Sequence, residues 1–254
     1  MIARRAQRSV LALAALAVLA TAAPGAAVAQ TRADAFAGKI PPVSGQLYRK
    51  AGRFELTATG NLSLNDAFYS KYFGGLKLGY HFSEAWSVSA QAATGATAAT
   101  GSAVVCPKGS GCTDANDAML FQVPGKLRRI VGAEVAWSPV YGKLNVFAEK
   151  VAHFDLSILV GADLISHDEV LGPNDATALA ASGGDPSLAS TVGGHVGLGA
   201  RLFFKEWLAL RLEVKDYVYG VEVPNNQSGK DWQNQIFTEL GLSFFLPLHN
   251  RSLP

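Results

Sequence analysis

Past its first 29 residues the chain has no run of about 20 apolar residues, so it carries no transmembrane helix. It has only two cysteines and two methionines, and G-x-S-x-G occurs nowhere. Net charge is scarce as well, at +2 over 254 residues. Of the 22 basic residues, Arg4, Arg5 and Arg8 precede an apolar run from Val10 to Ala23, and without them 19 basic face 20 acidic residues. Nothing in that balance favours a nucleic-acid partner, and none is expected.

The basic start, the short apolar core and Ala27-Val28-Ala29 ahead of Gln30 have the form of a secretory signal peptide, residues 1–29. Cleavage after Ala29 makes the chain an exported one. In that setting Cys106 and Cys112, which bracket Pro-Lys-Gly-Ser-Gly, point to a local disulfide, with free thiols as the alternative. Without a nearby histidine they make no zinc site.

Strict alternation is what the chain has in plenty. Val192, Val196, Leu198, Ala200, Leu202 and Phe204 share one face of a run whose other face holds Gly193, His195, Gly197, Gly199 and Arg201. After Lys205-Glu206 the pattern resumes from Trp207 to Tyr219, with Leu208, Leu210, Leu212 and Val214 opposite Arg211, Glu213 and Lys215. A period of two over this length means strands, and so short a link means an antiparallel hairpin. Similar runs cover Arg53–Leu64, Tyr72–Phe82, Trp86–Ala92, Leu127–Trp137, Phe154–Leu164 and Ile236–Leu246.

About eight strands result, and their connections alternate between short turns and long polar loops at 94–124, 167–190 and 222–231. One face is apolar and the other charged. A soluble sandwich would bury the apolar face, whereas a membrane barrel turns it to lipid and hides the charges in its lumen. The loop asymmetry and three tryptophans, Trp86, Trp137 and Trp207, at one set of strand ends favour an all-β antiparallel up-and-down transmembrane barrel over residues 53–246. Residues 30–52 form a periplasmic lead-in to that barrel, placed to lie across its mouth, and 247–254 a C-terminal tail. Ser138–Ala152 is ambiguous, a turn or a short amphipathic helix at the membrane surface.

The face opposite the apolar one contains Glu55, Lys77, Arg128, Glu134, Asp155, Asp163, Arg201, Arg211, Glu213, Lys215 and Glu239. In a narrow lumen these mixed signs are expected to pair and plug it, since an eight-stranded barrel holds little beyond its own side chains. No catalytic, metal or cofactor set emerges. His81 is expected in the periplasmic girdle, His167-Asp168-Glu169 as solvated loop charges, and His153, Asp155 and His195 as inward-facing structural groups. The glycines around His195 precede no helix start, which argues against a phosphate loop.

Several segments resemble the outer membrane β-barrel domain family of myxobacteria and related bacteria: 47–56 (LYRKAGRFEL), 63–69 (SLNDAFY), Tyr80-His81-Phe82, Gly142-Lys143-Leu144 with His153-Phe154-Asp155, and 241–245 (GLSFF). The resemblance implies an outer-membrane barrel without assigned activity, in some branches a component of the gliding-motility machinery. One departure is that Phe244-Phe245 are followed by nine more residues, where outer-membrane barrels usually end on an aromatic residue read by the insertion machinery. The expected role is a structural or interaction component of the outer membrane, not an enzyme. It is expected to be a monomeric barrel with lipid, the insertion machinery and periplasmic or outer-membrane proteins as partners. A narrow, porin-like pore is the alternative, and a lipid-modifying enzyme the third reading.

Overall fold

The computed structural model describes residues 48–65, 68–100, 103–106, 111–115, 117–146, 150–224 and 230–247. The expected signal peptide, most of the lead-in and most of the tail lie outside the described residues.

Eight long strands close into one ring: β1 (Arg53–Ser63), β2 (Tyr69–His81), β3 (Trp86–Ala99), β6 (Leu127–Val146), β7 (Lys150–Asp168), β8 (Leu188–Lys205), β9 (Leu208–Glu222) and β10 (Lys230–Leu246). Each pairs antiparallel with its neighbours in sequence, and β1 returns to β10 through Phe54↔Leu246 to Ser63↔Phe237. A closed up-and-down barrel leaves no edge at its seam, so the backbone groups there are satisfied without solvent. The sandwich alternative is thereby excluded.

The alternation resolves as an inside-out molecule. Leu76, Leu78, Val196, Leu198 and Leu240 are more than half exposed on the outer face, while Lys77, Glu134, Glu213 and Lys215 are nearly inaccessible inside. Such a surface is built for a lipid surround. Trp86 stacks on Trp137 and Trp207 on Phe244 at the end where the turns are short, and Trp232 is exposed near the other end of the wall.

Three expectations about local structure need correction. The described residues of Ser138–Ala152 are strand, neither turn nor helix: β6 and β7 continue paired from Val140↔Leu156 to Val146↔Lys150, past an irregularity between Trp137 and Val140. Pro139 falls in that irregularity, where its missing N–H interrupts no ladder bond. The β8–β9 turn is Glu206-Trp207, one residue later than expected, because the register shifts between Phe203 and Lys205. His167 and Asp168 are not solvated loop charges. They end β7 and are buried, His167 against the ring of Tyr219 and Asp168 under Arg128 and Lys126.

The long connections are partly ordered. Between β3 and β6 lie a small hairpin, β4 (Val104–Val105) with β5 (Thr113–Asp114), closed by the Cys106–Cys112 disulfide, and a turn of helix, α1 (Asp117–Leu120). The β7–β8 connection carries α2 (Pro173–Ser182), opened by a proline in its first turn and ended by Gly183 at φ 70°. The two connections meet where the Leu171 N–H donates to the Phe121 carbonyl, and Tyr69 donates its hydroxyl to Leu120 O at 2.6 Å.

At the opposite end Arg53 ties the seam. Its guanidinium donates to the carbonyls of Glu206 (2.6 Å), Pro247 (2.6 Å), Phe245 (3.3 Å) and Arg49 (3.3 Å), so one side chain joins β1, the β8–β9 turn and the end of β10. Arg53→Ala is expected to destabilise the barrel by about 2–3 kcal/mol, the scale for hydrogen bonds to a charged group. A lowered urea midpoint of the folded, fast-migrating gel species checks it; an unchanged midpoint contradicts the role.

Candidate functional site in the barrel lumen

Alternation brings charged side chains from seven of the eight strands into one narrow interior, and the register decides which of them meet. In the middle, Lys77 Nζ lies 2.7 Å from Glu213, 3.0 Å from Glu134 and 3.1 Å from Glu239. Lys215 Nζ lies 2.9 Å from Glu213 and 3.0 Å from Glu134, and Arg211 bonds Glu213 beside it and Glu134 at 3.1 Å. His195 completes the group, with Nδ1 on Asp163 and Nε2 3.2 Å from Glu134. An ionised carboxylate only accepts hydrogen bonds, so a ring that meets one at each nitrogen carries a proton on both. Four cations (Lys77, Arg211, Lys215 and His195) then oppose four anions (Glu134, Glu213, Glu239 and Asp163).

Two glycines make the fit possible. A Cβ at Gly161 would stand 2.2 Å from His195 Cε1, and one at Gly132 2.0 Å from Asp163 Oδ1. Larger residues there would push the imidazole and its carboxylate apart.

Nearer the short-turn end a second group forms. Glu55 accepts from Arg201 at 2.9 Å and meets His81 Nε2 at 2.7 Å, while Asp155 takes Arg201 at 2.9 Å and Lys50 at 2.6 Å. Lys50 precedes β1, and Glu84 accepts the backbone N–H groups of Lys50 and Ala51 to hold that segment over the mouth. Burial lowers the Lys50 ammonium from its ordinary pKa and Arg201 adds to this, with Asp155 opposing.

Apolar layers close both ends of the charged zone. Toward the long loops lie Phe73, Ile130, Ile165, Tyr217, Tyr219 and Phe237, and toward the short turns Phe203, Ala209 and Phe245 with Tyr48 and Tyr141. Between Lys77, Gln91, Tyr217 and Glu239 a cavity of about 10 Å³ remains, roughly the least that admits one water.

The ten residues Glu55, Lys77, Glu134, Asp155, Asp163, Arg201, Arg211, Glu213, Lys215 and Glu239 are all buried inside the ring, each within ion-pair distance of another ionisable side chain. Arg128 is not among them. The register shift between Leu127 and Arg129 turns it to the rim, where it holds Asp168 in a two-point contact at 2.7 and 2.8 Å. His81 points inward to Glu55 and not to a girdle; its parity with Lys77 on β2 was the signal. His153 and Asp155 share a face but take different partners, His153 the Tyr141 hydroxyl at 2.8 Å. Lys50 escaped sequence reading because it lies outside any periodic run. Among the described residues no group of three His, Cys, Asp or Glu side chains is arranged to hold a metal ion.

Removing one member leaves its partners charged and buried. Glu213→Ala is expected to cost about 3–5 kcal/mol, while Lys77→Met with Glu213→Leu costs less than the two single changes summed. Urea unfolding of the unaltered protein, Glu213→Ala, Lys77→Met, Glu213→Leu and the double variant checks this, and strict additivity would show that the pair does not act as one.

No family model matches the chain, and no curated protein matches it. Among solved structures it is similar to the N-terminal β-barrel domain of Pseudomonas aeruginosa OprF, with 10% identity, a TM-score of 0.46, and 77% of this chain and 98% of that one covered. Pseudomonas aeruginosa OprG gives 15% identity and 0.38 over 78% and 97%, and Neisserial surface protein A 11% and 0.38 over 76% and 94%. Likeness at this level says nothing about function.

Proposed function

We propose that the chain is a small outer-membrane barrel whose lumen is plugged by its own ion pairs, and that it serves as a structural or protein-interaction component of the cell envelope. The observation that carries this is the sealed sequence of layers inside the ring: apolar, charged and balanced, apolar again. A conducting lumen needs a continuous wet path, and here both ends of the charged zone are packed with rings. The apolar outer face and the leader-like N-terminus support a place in the outer membrane, reached by export and barrel insertion.

No nucleophile, base and orienting acid share one outward-facing site among the described residues, and catalysis forms no part of the proposal. Partners are expected on the surfaces that the plug leaves free, the disulfide-closed outer connection and the projecting β6–β7 hairpin with its exposed Val140 and Leu144. The resemblance to the myxobacterial family extends the proposal to a part in an envelope machine such as that of gliding motility.

Refolded protein is expected to migrate faster on gels before heating than after, and to give no discrete current steps in a planar bilayer. Replacing Lys77, Arg211 and Glu213 together by alanine is expected to produce steps, if the barrel still forms by the gel criterion. Steps from the unaltered protein would replace the plug with the narrow-pore reading.

A further inference from the structure

The outward face of β6 is apolar at Val131, Val135 and Trp137 and stops being so at Arg129. Arg129 is exposed and has no ion-pair partner among the described residues. Its neighbours Lys126 and Arg128 are both taken by Asp168. The register surrounds Arg129 with hydroxyls: it pairs with Thr94 on β3 and Ser166 on β7, and Ser166 pairs with Ser190 on β8. Thr94 donates to the Arg128 carbonyl at 3.1 Å, and the two serine hydroxyls lie 3.1 Å apart. One serine donates to the other, which leaves one hydroxyl proton of that pair uncommitted on the same outward face as Arg129.

Four residues further along the same face, about 13 Å by strand geometry, the wall recedes. Ala90, Ala133 and Ala162 pair side by side across β3, β6 and β7 and floor a hollow of about 550 Å³ walled by Leu78, Tyr80, Val135 and Val160. That volume lies within the range of small-molecule pockets, roughly 300–1,000 Å³, room enough for a stretch of acyl chain. Height agrees with the chemistry. Arg129 stands eight residues from Trp137, about 20 Å along the barrel axis at the usual strand tilt, and its side chain reaches the rest of an apolar band of about 25 Å.

A lone exposed guanidinium with a hydroxyl donor at the apolar boundary, above an apolar hollow, is complementary to a molecule with a phosphate at one end and a hydrocarbon chain at the other. We propose that this face of the barrel holds one phosphorylated lipid of the outer leaflet, its phosphate on Arg129 and an acyl chain in the hollow over Ala133. The proposal rests on the reading of the chain as an outer-membrane barrel. An ordinary lipid-facing wall has no need of an unpaired arginine and is indifferent to the head group; this one is not.

The test titrates the refolded barrel in neutral detergent with lipid A, and with lipid A stripped of its phosphates, and follows bound lipid by native mass spectrometry. Arg129→Ala is expected to weaken lipid A binding about tenfold, a loss on the scale of one charge-assisted contact, and the stripped lipid to bind the unaltered barrel as weakly. Ala133→Trp, which fills the hollow from outside the packed interior, is expected to lower binding as well. Lys205→Ala, which removes an exposed cation from the opposite rim, leaves it unchanged. Equal binding by Arg129→Ala, equal binding of the stripped lipid, or an equal loss in Lys205→Ala overturns the proposal. Heat-dependent gel migration of every variant separates the two readings: no shift in the unaltered protein removes the membrane barrel and this site with it, whereas shifts throughout with indifferent binding remove this site alone.

Discussion

Everything in this molecule follows from placing charges where water does not reach. An apolar outer face leaves only the lumen for Lys77, Glu134, Arg211, Glu213 and Lys215, and a ring of eight strands has no space there for hydration shells. Taking such groups out of water costs several kcal/mol per ion, so each must meet an opposite charge at close range or the barrel does not close. The four-against-four grouping around Glu134 meets that demand, with His195 supplying the fourth cation. Each carboxylate is gripped from more than one strand: Glu134 on β6 touches side chains of β2, β8 and β9, and Glu55 on β1 touches those of β2, β8 and β9. Apart from Glu55 to His81 on the neighbouring β2, these contacts run across the interior and tie strands that share no backbone ladder. They therefore fix the shape of the ring as well as its charge.

The apolar layers on both sides of the charged zone belong to the same argument. Coulombic attraction rises as the surroundings dry, and Phe73, Tyr217 and Phe237 at one end with Phe203 and Phe245 at the other keep them dry. Tyr48 stacks on Phe203, and two residues later Lys50 reaches Asp155, so the segment ahead of β1 closes the short-turn mouth with a ring and a charge together. Arg53 then holds that end of the seam through carbonyls instead of carboxylates.

Periodicity made most of this legible. Parity along a strand tells which face a side chain takes, and for Glu55, Lys77, Glu134 and Arg211 nothing else was needed. It does not tell which strands lie at the same height, so the partners of Glu134 were invisible until the register was known. It fails where the register slips: Arg128 has the parity of Glu134 but lies beyond the shift at Leu127, and Ser138-Pro139 breaks the pattern in the middle of a strand that goes on to Val146. It is silent outside the runs, where Lys50 lies. It also fades where strands leave the apolar band. Ala96 and Ala98 at the end of β3 still pair with β2, because a ladder needs only backbone once the strands are side by side.

A barrel filled in this way has one kind of surface left for its work. Side chains that would line a passage are spent on holding the ring together, and loosening them enough to pass a solute would expose charges to an apolar layer at either end. The outward features carry no such duty. Arg129 has no partner among the described residues while every cation around Glu134 has at least one, and Val140 and Leu144 are exposed on a hairpin that projects beyond the tryptophans. An unpaired cation at the apolar boundary and an apolar edge beyond it are places where stabilisation is still to be gained from outside the ring. The proposed recognition falls there, on the outside of the wall and at its ends, with the interior supplying the rigidity against which such contacts would be made.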